Sequence, residues 1–173
     1  MTVRVLITRV MNREGGYVDH PADRGGPTNY GVTQATLSAY RGENVSKKDV
    51  KDLTEREARD IYEQNYWIEP GFSQMGHQSL HLVDAIFDAA INHGPRNAVQ
   101  MLQRAIGENP DGLLGPVTLG KLNTMRDQDV MARFISQRVI FYGRLITLDP
   151  GQAAFAYGWM RRSAEFIRVI PLT

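Results

Sequence analysis

A chain of 173 residues with 42% hydrophobic side chains is long enough to build one domain, or two small ones, around a real core. Twenty basic against nineteen acidic residues leave a formal charge of +1, which argues against a nucleic-acid binder working through a large uniform positive field. With no cysteine, disulfides, thiolate nucleophiles and cysteine metal sites are excluded together.

The opening stretch, MTVRVLITRVMNREGG, places Arg4 and Arg9 inside its apolar run and has no small-residue cleavage site, so it does not read as a signal peptide. Nothing in the chain approaches the roughly 18 consecutive apolar residues of a membrane helix, so no stable membrane insertion is expected. Val3, Leu6, Ile7, Val10 and Met11 match a helical stripe, although Val3, Val5 and Ile7 alone would also fit a strand. The helical step continues to Glu14, and Gly15 with Gly16 supplies a stop. Glu14 is therefore expected at the C-terminal end of a helix, on its core-facing side.

From Tyr17 to Gly31 the glycines and prolines forbid a long helix and suggest a small hairpin or irregular lobe. Helix signals return with Thr33 as a cap and with Thr54 and Glu57 at capping-box spacing. SLHLVDAIFDAAINHG is apolar around much of its circumference and predicts a central buried helix ending near Asn92, His93 and Gly94. Pro95 opens a helix through Ile106, and Pro116 opens a short one. Amphipathic segments follow over Asp129 to Leu148 and Gln152 to Val169, separated by DPG. The fold class expected is mainly α, with a small glycine-rich lobe after the first helix.

A carboxyl on an apolar face is desolvated, and at a helix C-terminus it also meets the negative end of the dipole. Both effects raise its pKa, which suits Glu14 to act as a general acid. Asp19 and Asp23, in a wetter glycine-lined loop, are each available as a second, ionised carboxylate, and two carboxyls pushed apart in pKa are the equipment of glycoside hydrolysis. Thr28 and Asn29 add short polar groups able to hold a water or a sugar hydroxyl. The plain alternative is a solvated Glu and turn-forming Asp residues.

The string REGGYVDHPADRGGPTNYGVTQATL closely resembles the N-terminal motif of glycoside hydrolase family 108, the N-acetylmuramidases found as phage endolysins and as muramidases in bacterial protein secretion. LVDAIFDAAINHGPRNAVQMLQRAIG and the later DGLLGPVTLGKL resemble the predicted peptidoglycan-binding region that follows in that family. The likeness spans most of residues 5 to 125. It implies a lysozyme-like helical fold, cleavage of the β-1,4 bond between N-acetylmuramic acid and N-acetylglucosamine, and no cofactor or metal. It places the glutamate of the family's motif on Glu14. The spacing of Glu14, Asp23 and Thr28 is similar to the Glu, Asp, Thr arrangement of phage-type lysozymes, but with one residue fewer between Asp and Thr, so Asp19 stays a competitor. By the same analogy inversion is expected.

Tyr17, Asp19, Asn29, Tyr30, Asn92 and His93 are the further candidates for substrate binding. Tyr66 and Trp67 fit a core or rim role at least as well, and a helix cap accounts for Asn92 and His93 nearly as well as a cleft does. His77 and His81 have i, i+4 metal spacing but lack a third ligand and read as surface histidines. DGLLGPVT makes a loop-to-helix turn whether or not it meets sugar. From Met131 onward, six arginines (133, 138, 144, 161, 162, 168) face Asp149 and Glu165, which suits either an anionic surface or a solvated helix face. The organisation expected is a catalytic region over 1–92 and a helical wall-binding region over 93–173 packed against it, or one compact domain. The partner is bacterial peptidoglycan, and a monomer is expected. Without a leader, synthesis in the bacterial cytoplasm and release through a holin or other export route are implied. The rival readings are a non-catalytic peptidoglycan-binding protein and a metal-dependent cell-wall amidase using Asp19, His20 and His93.

Overall fold

The first helix, α1 (Val3–Glu14), buries Leu6, Ile7, Val10 and Met11 and ends at the glutamate, as the stripe predicts. The computed structural model describes residues 3–14, 16–19 and 26–168, without the side chains of residues 12–14. The chain divides into two compact units, Met1–Glu69 and Pro70–Thr173. Mainly helical architecture is found in both, and a two-stranded antiparallel sheet is the one sheet among the described residues.

In the first unit that sheet pairs β1 (Thr28–Asn29) with β2 (Val32–Thr33). Tyr30 and Gly31 link them with φ of 51° and 75°, the double left-handed geometry of a type I′ turn. A non-glycine residue in that region is strained by about 1 kcal/mol, and the Tyr62 hydroxyl, donating to the Tyr30 carbonyl at 2.9 Å, helps to hold it. Thr33 caps α2 (Gln34–Arg41), accepting from Thr36 N–H. The reciprocal capping box belongs to Ser46 and Asp49 at the start of α3 (Lys47–Lys51). At α4 (Glu55–Glu63), Thr54 accepts from Glu57 N–H, but the Glu57 carboxylate is taken by Arg41 in a two-pronged pair with both contacts at 2.8 Å. The predicted box is therefore half made.

In the second unit α5 (Leu80–His93) is capped by Ser79 and buries Leu82, Val83 and the whole run from Ala85 to Ala90, the central apolar helix predicted. Pro95 begins α6 (Pro95–Ile106) and Pro116 begins α7 (Pro116–Leu122), both as expected. After α8 (Asp127–Leu148) the structure departs from expectation. A 3₁₀ turn over Pro150–Phe155 intervenes, its first amide capped by the Asp149 carboxylate, and α9 (Ala156–Ile167) begins four residues later than Gln152.

The DGLLGPVT string has a structural explanation. Gln103 of α6, 1% exposed, donates through Nε2 to Asp111 Oδ1 (2.7 Å), the Leu113 carbonyl (3.1 Å) and Thr118 Oγ1 (3.1 Å), and accepts from Gly112 N–H (2.9 Å). The loop wraps one buried amide. Gly112 has φ of 79°, and a Cβ there would come within 2.6 Å of Arg96 Cγ.

A charge sits at the centre of this unit. Asp88, 1% exposed on the apolar α5, accepts from Arg138 of α8 at 2.6 Å and from Arg162 of α9 at 2.8 Å. Burial raises its carboxyl pKa, but the two guanidiniums outweigh burial and hold it below the usual carboxylate range. This corrects the reading of the arginine-rich third as one solvated or surface-binding face: Arg138 is fully buried and Arg162 faces inward, because both neutralise an aspartate some 50 or more residues away in sequence.

The network continues to the end of α5. Arg138 Nε donates to the Tyr142 hydroxyl (2.9 Å), which is also hydrogen-bonded to His93 Nε2 (3.0 Å). Burial first, and the Arg138 charge second, push the His93 pKa down from 6.5 to about 4. Tyr142 also stacks on Trp159 of α9 at 4.8 Å.

Asp88→Ala leaves two arginines without their counter-ion and should cost about 3–5 kcal/mol in urea unfolding. Because the folded His93 pKa lies below the unfolded one, the unfolded chain takes up the proton first as pH falls. The His93 contribution is therefore complete above pH 6.5 and is lost towards pH 4, by up to about 3 kcal/mol. Urea unfolding across that window should show the slope, and His93→Gln should remove that part of it.

Candidate active site

α1 delivers Glu14 to its last position, where the apolar stripe of Val10 and Met11 would next fall. The Glu14 side chain lies outside the described residues, as do Asp23 and His20. On either side of that gap the backbone is held. Val18 N–H donates to the Thr28 carbonyl and Thr28 N–H to the Val18 carbonyl, both at 2.8 Å. Thr28 is also paired with Thr33 across the hairpin, so it lies between two backbone partners, with its side chain half-buried.

Asp19 is engaged. Lys47 Nζ, from the first turn of α3, lies 3.2 and 3.1 Å from its two carboxylate oxygens, and the Tyr17 hydroxyl donates to Oδ2 at 3.4 Å. Desolvation and then the Asp19 charge raise the Tyr17 phenol pKa, so it remains a neutral donor. Tyr17, Asp19 and Lys47 form one polar cluster beside the Val18–Thr28 pair.

Asn29, expected among the sugar-binding groups, is 5% exposed, and its amide nitrogen is committed to the Val50 (3.1 Å) and Lys51 (3.0 Å) carbonyls at the end of α3. Both carbonyls lie in the last turn of α3, so Asn29 acts as a C-cap supplied by the hairpin. The half-buried Tyr30 sits at the turn itself. Sequence reasoning missed Lys47 and Asn29's partners, since neither contact leaves a local pattern.

Asn92 and His93 belong to the second unit. Asn92 is exposed and its amide donates to the Asp88 carbonyl one turn back (2.6 Å), while His93 is half-buried and held by Tyr142. His77 and His81 are both exposed. Tyr66 and Trp67 are half-buried in the turn of π-helix after α4, with the Tyr66 ring 5.7 Å from that of Tyr62. Among the described residues no helix is long and apolar enough to cross a membrane.

The model of the glycosyl hydrolase 108 family matches residues 7–94, and that of a predicted peptidoglycan domain matches 97–164. The seam between these matches falls after α5, whereas the two compact units divide at Glu69, so α5 belongs to the first match and to the second unit. No curated protein matches the chain. A solved structure of Brucella abortus SagA is similar to it at 37% identity and a TM-score of 0.81, over 94% of this chain and 90% of that one. The chain belongs to the glycosyl hydrolase 108 family: it has a mainly α, lysozyme-like fold and is a glycoside hydrolase that acts on peptidoglycan.

Proposed function

We propose that this protein is an N-acetylmuramidase that cleaves the β-1,4 bond between N-acetylmuramic acid and N-acetylglucosamine, with Glu14 as general acid. The observation that carries the reading is the end of α1: the helix terminates at Glu14, in step with the buried Leu6, Ile7, Val10 and Met11. At that position the helix dipole opposes ionisation, which keeps a carboxyl protonated and able to give its proton to the glycosidic oxygen.

Asp23 is the second carboxylate, activating a water or stabilising the oxocarbenium-like transition state, and Thr28 orients that water. One observation supports this choice over Asp19: the Asp19 carboxylate is occupied by Lys47 and Tyr17. Tyr17, Asp19 and Tyr30 flank the substrate, and the likeness of the Glu14, Asp23, Thr28 spacing to phage-type lysozymes supports inversion. Residues 1–92 carry the cleavage and 93–173 hold the wall, with Asn92 and His93 at the junction of these two regions. The role is wall passage in cell lysis or secretion, and the site of action is the cell wall.

Glu14→Gln should lower turnover by about 10²–10⁴-fold, with the fold retained. Mass spectrometry of purified peptidoglycan digested by the two proteins, with and without a chelator, checks this. Fragments ending in reducing N-acetylmuramic acid, made by the wild type alone and indifferent to chelation, are expected. Cleaved stem peptides would mean an amidase, and an active, well-folded Glu14→Gln would remove Glu14 from the mechanism.

A further inference from the structure

α9 carries apolar side chains on two sides, and the core accounts for one of them. Ser163 and Phe166 are buried, Arg162 reaches Asp88, and Trp159 stacks on Tyr142. A second apolar stripe runs along its exposed side, next to the buried face. Tyr157, Met160 and Ile167 recur at i, i+3 and i+10 and are 79%, 38% and 52% exposed. Beside them run Arg161 and Arg168, both exposed, seven residues apart and so two turns along the same line. Neither forms an ion pair among the described residues. The adjacent arginines 161 and 162, about 100° apart around the helix, thus differ in surroundings, one neutralised in the interior and one left in solvent.

A solvated helix face has no use for three exposed apolar side chains in register, and the two exposed guanidiniums beside them outnumber the one exposed carboxylate on that side, Glu165, so the face is net positive and favours negative charge. Sugar hydroxyls gain little from the aliphatic ends of Met160 and Ile167. Anionic lipid headgroups over acyl chains satisfy both halves of the stripe: phosphates meet Arg161 and Arg168, the tyrosine ring sits at headgroup level, and Met160 and Ile167 enter the boundary. We propose that the outer face of α9 is a peripheral docking surface for an anionic membrane, holding the hydrolase beside the bilayer that underlies its wall substrate. The proposal does not depend on which bond of peptidoglycan is cleaved.

The test is co-sedimentation of the full chain with phosphatidylglycerol-containing vesicles and with pure phosphatidylcholine vesicles. The wild type should pellet with the former, weaken as salt rises, and ignore the latter. Arg161→Gln and Arg168→Gln should each weaken binding about fivefold, and Tyr157→Ser with Met160→Ser should abolish most of it. All variants should unfold in urea at the wild-type midpoint, since none of these side chains is buried. Absence of wild-type binding to the anionic vesicles, or variants that bind as tightly as the wild type, would overturn the proposal. So would loss of sedimentation with lipid-free peptidoglycan in these variants, which would place the wall on this face in the membrane's stead.

Discussion

The Asp88 carboxylate constrains the second unit more tightly than any apolar contact can. It stands on a helix whose neighbouring residues are all buried, and a charge there is tolerable only while two guanidiniums from α8 and α9 remain within hydrogen-bonding distance. Apolar packing can slide by a fraction of an ångström at little cost. A buried ion triad cannot, so packings of the three helices that leave the carboxylate uncompensated are heavily penalised. The Arg138–Tyr142–His93 relay extends that constraint to the last turn of α5, and the Tyr142–Trp159 stack ties it again to α9.

The first unit is organised differently. Its loops are held by caps and crosswise hydrogen bonds: Asn29 on the end of α3, Tyr62 on the strained Tyr30 carbonyl, and Arg41 clamped on Glu57. Each tie joins a short element to another with little apolar area of its own. In a segment this rich in glycine and proline, side-chain-to-backbone bonds do the positioning that burial does elsewhere.

Most of the helical framework was legible because its determinants are local. The stripe leading to Glu14, the Thr33 cap, the two N-terminal prolines and the glycine after His93 each mark a boundary within a turn or so of where it acts. What escaped was long-range pairing. Charge counting cannot distinguish Arg138 and Arg162, bonded inside, from Arg161 and Arg168 outside, since the difference lies in a partner on α5. The same limit applied near the site. Motif likeness pointed to the segment, but nothing local signals that Asn29 caps a helix 21 residues on, or that Lys47 meets Asp19. The helix start misplaced at Gln152 failed for a local reason: Asp149 and Pro150 favour a tighter turn before α9.

Gln103 bears on how such chains are compared. The aspartate, glycine and threonine of DGLLGPVT are spaced to satisfy one amide, which itself lies eight residues before the string begins. Its persistence in any relative would therefore report a folding solution, whatever that relative binds. A designer who transplants the turn onto another scaffold must carry the glutamine with it, because without that template the borrowed loop has lost the group around which it is wound.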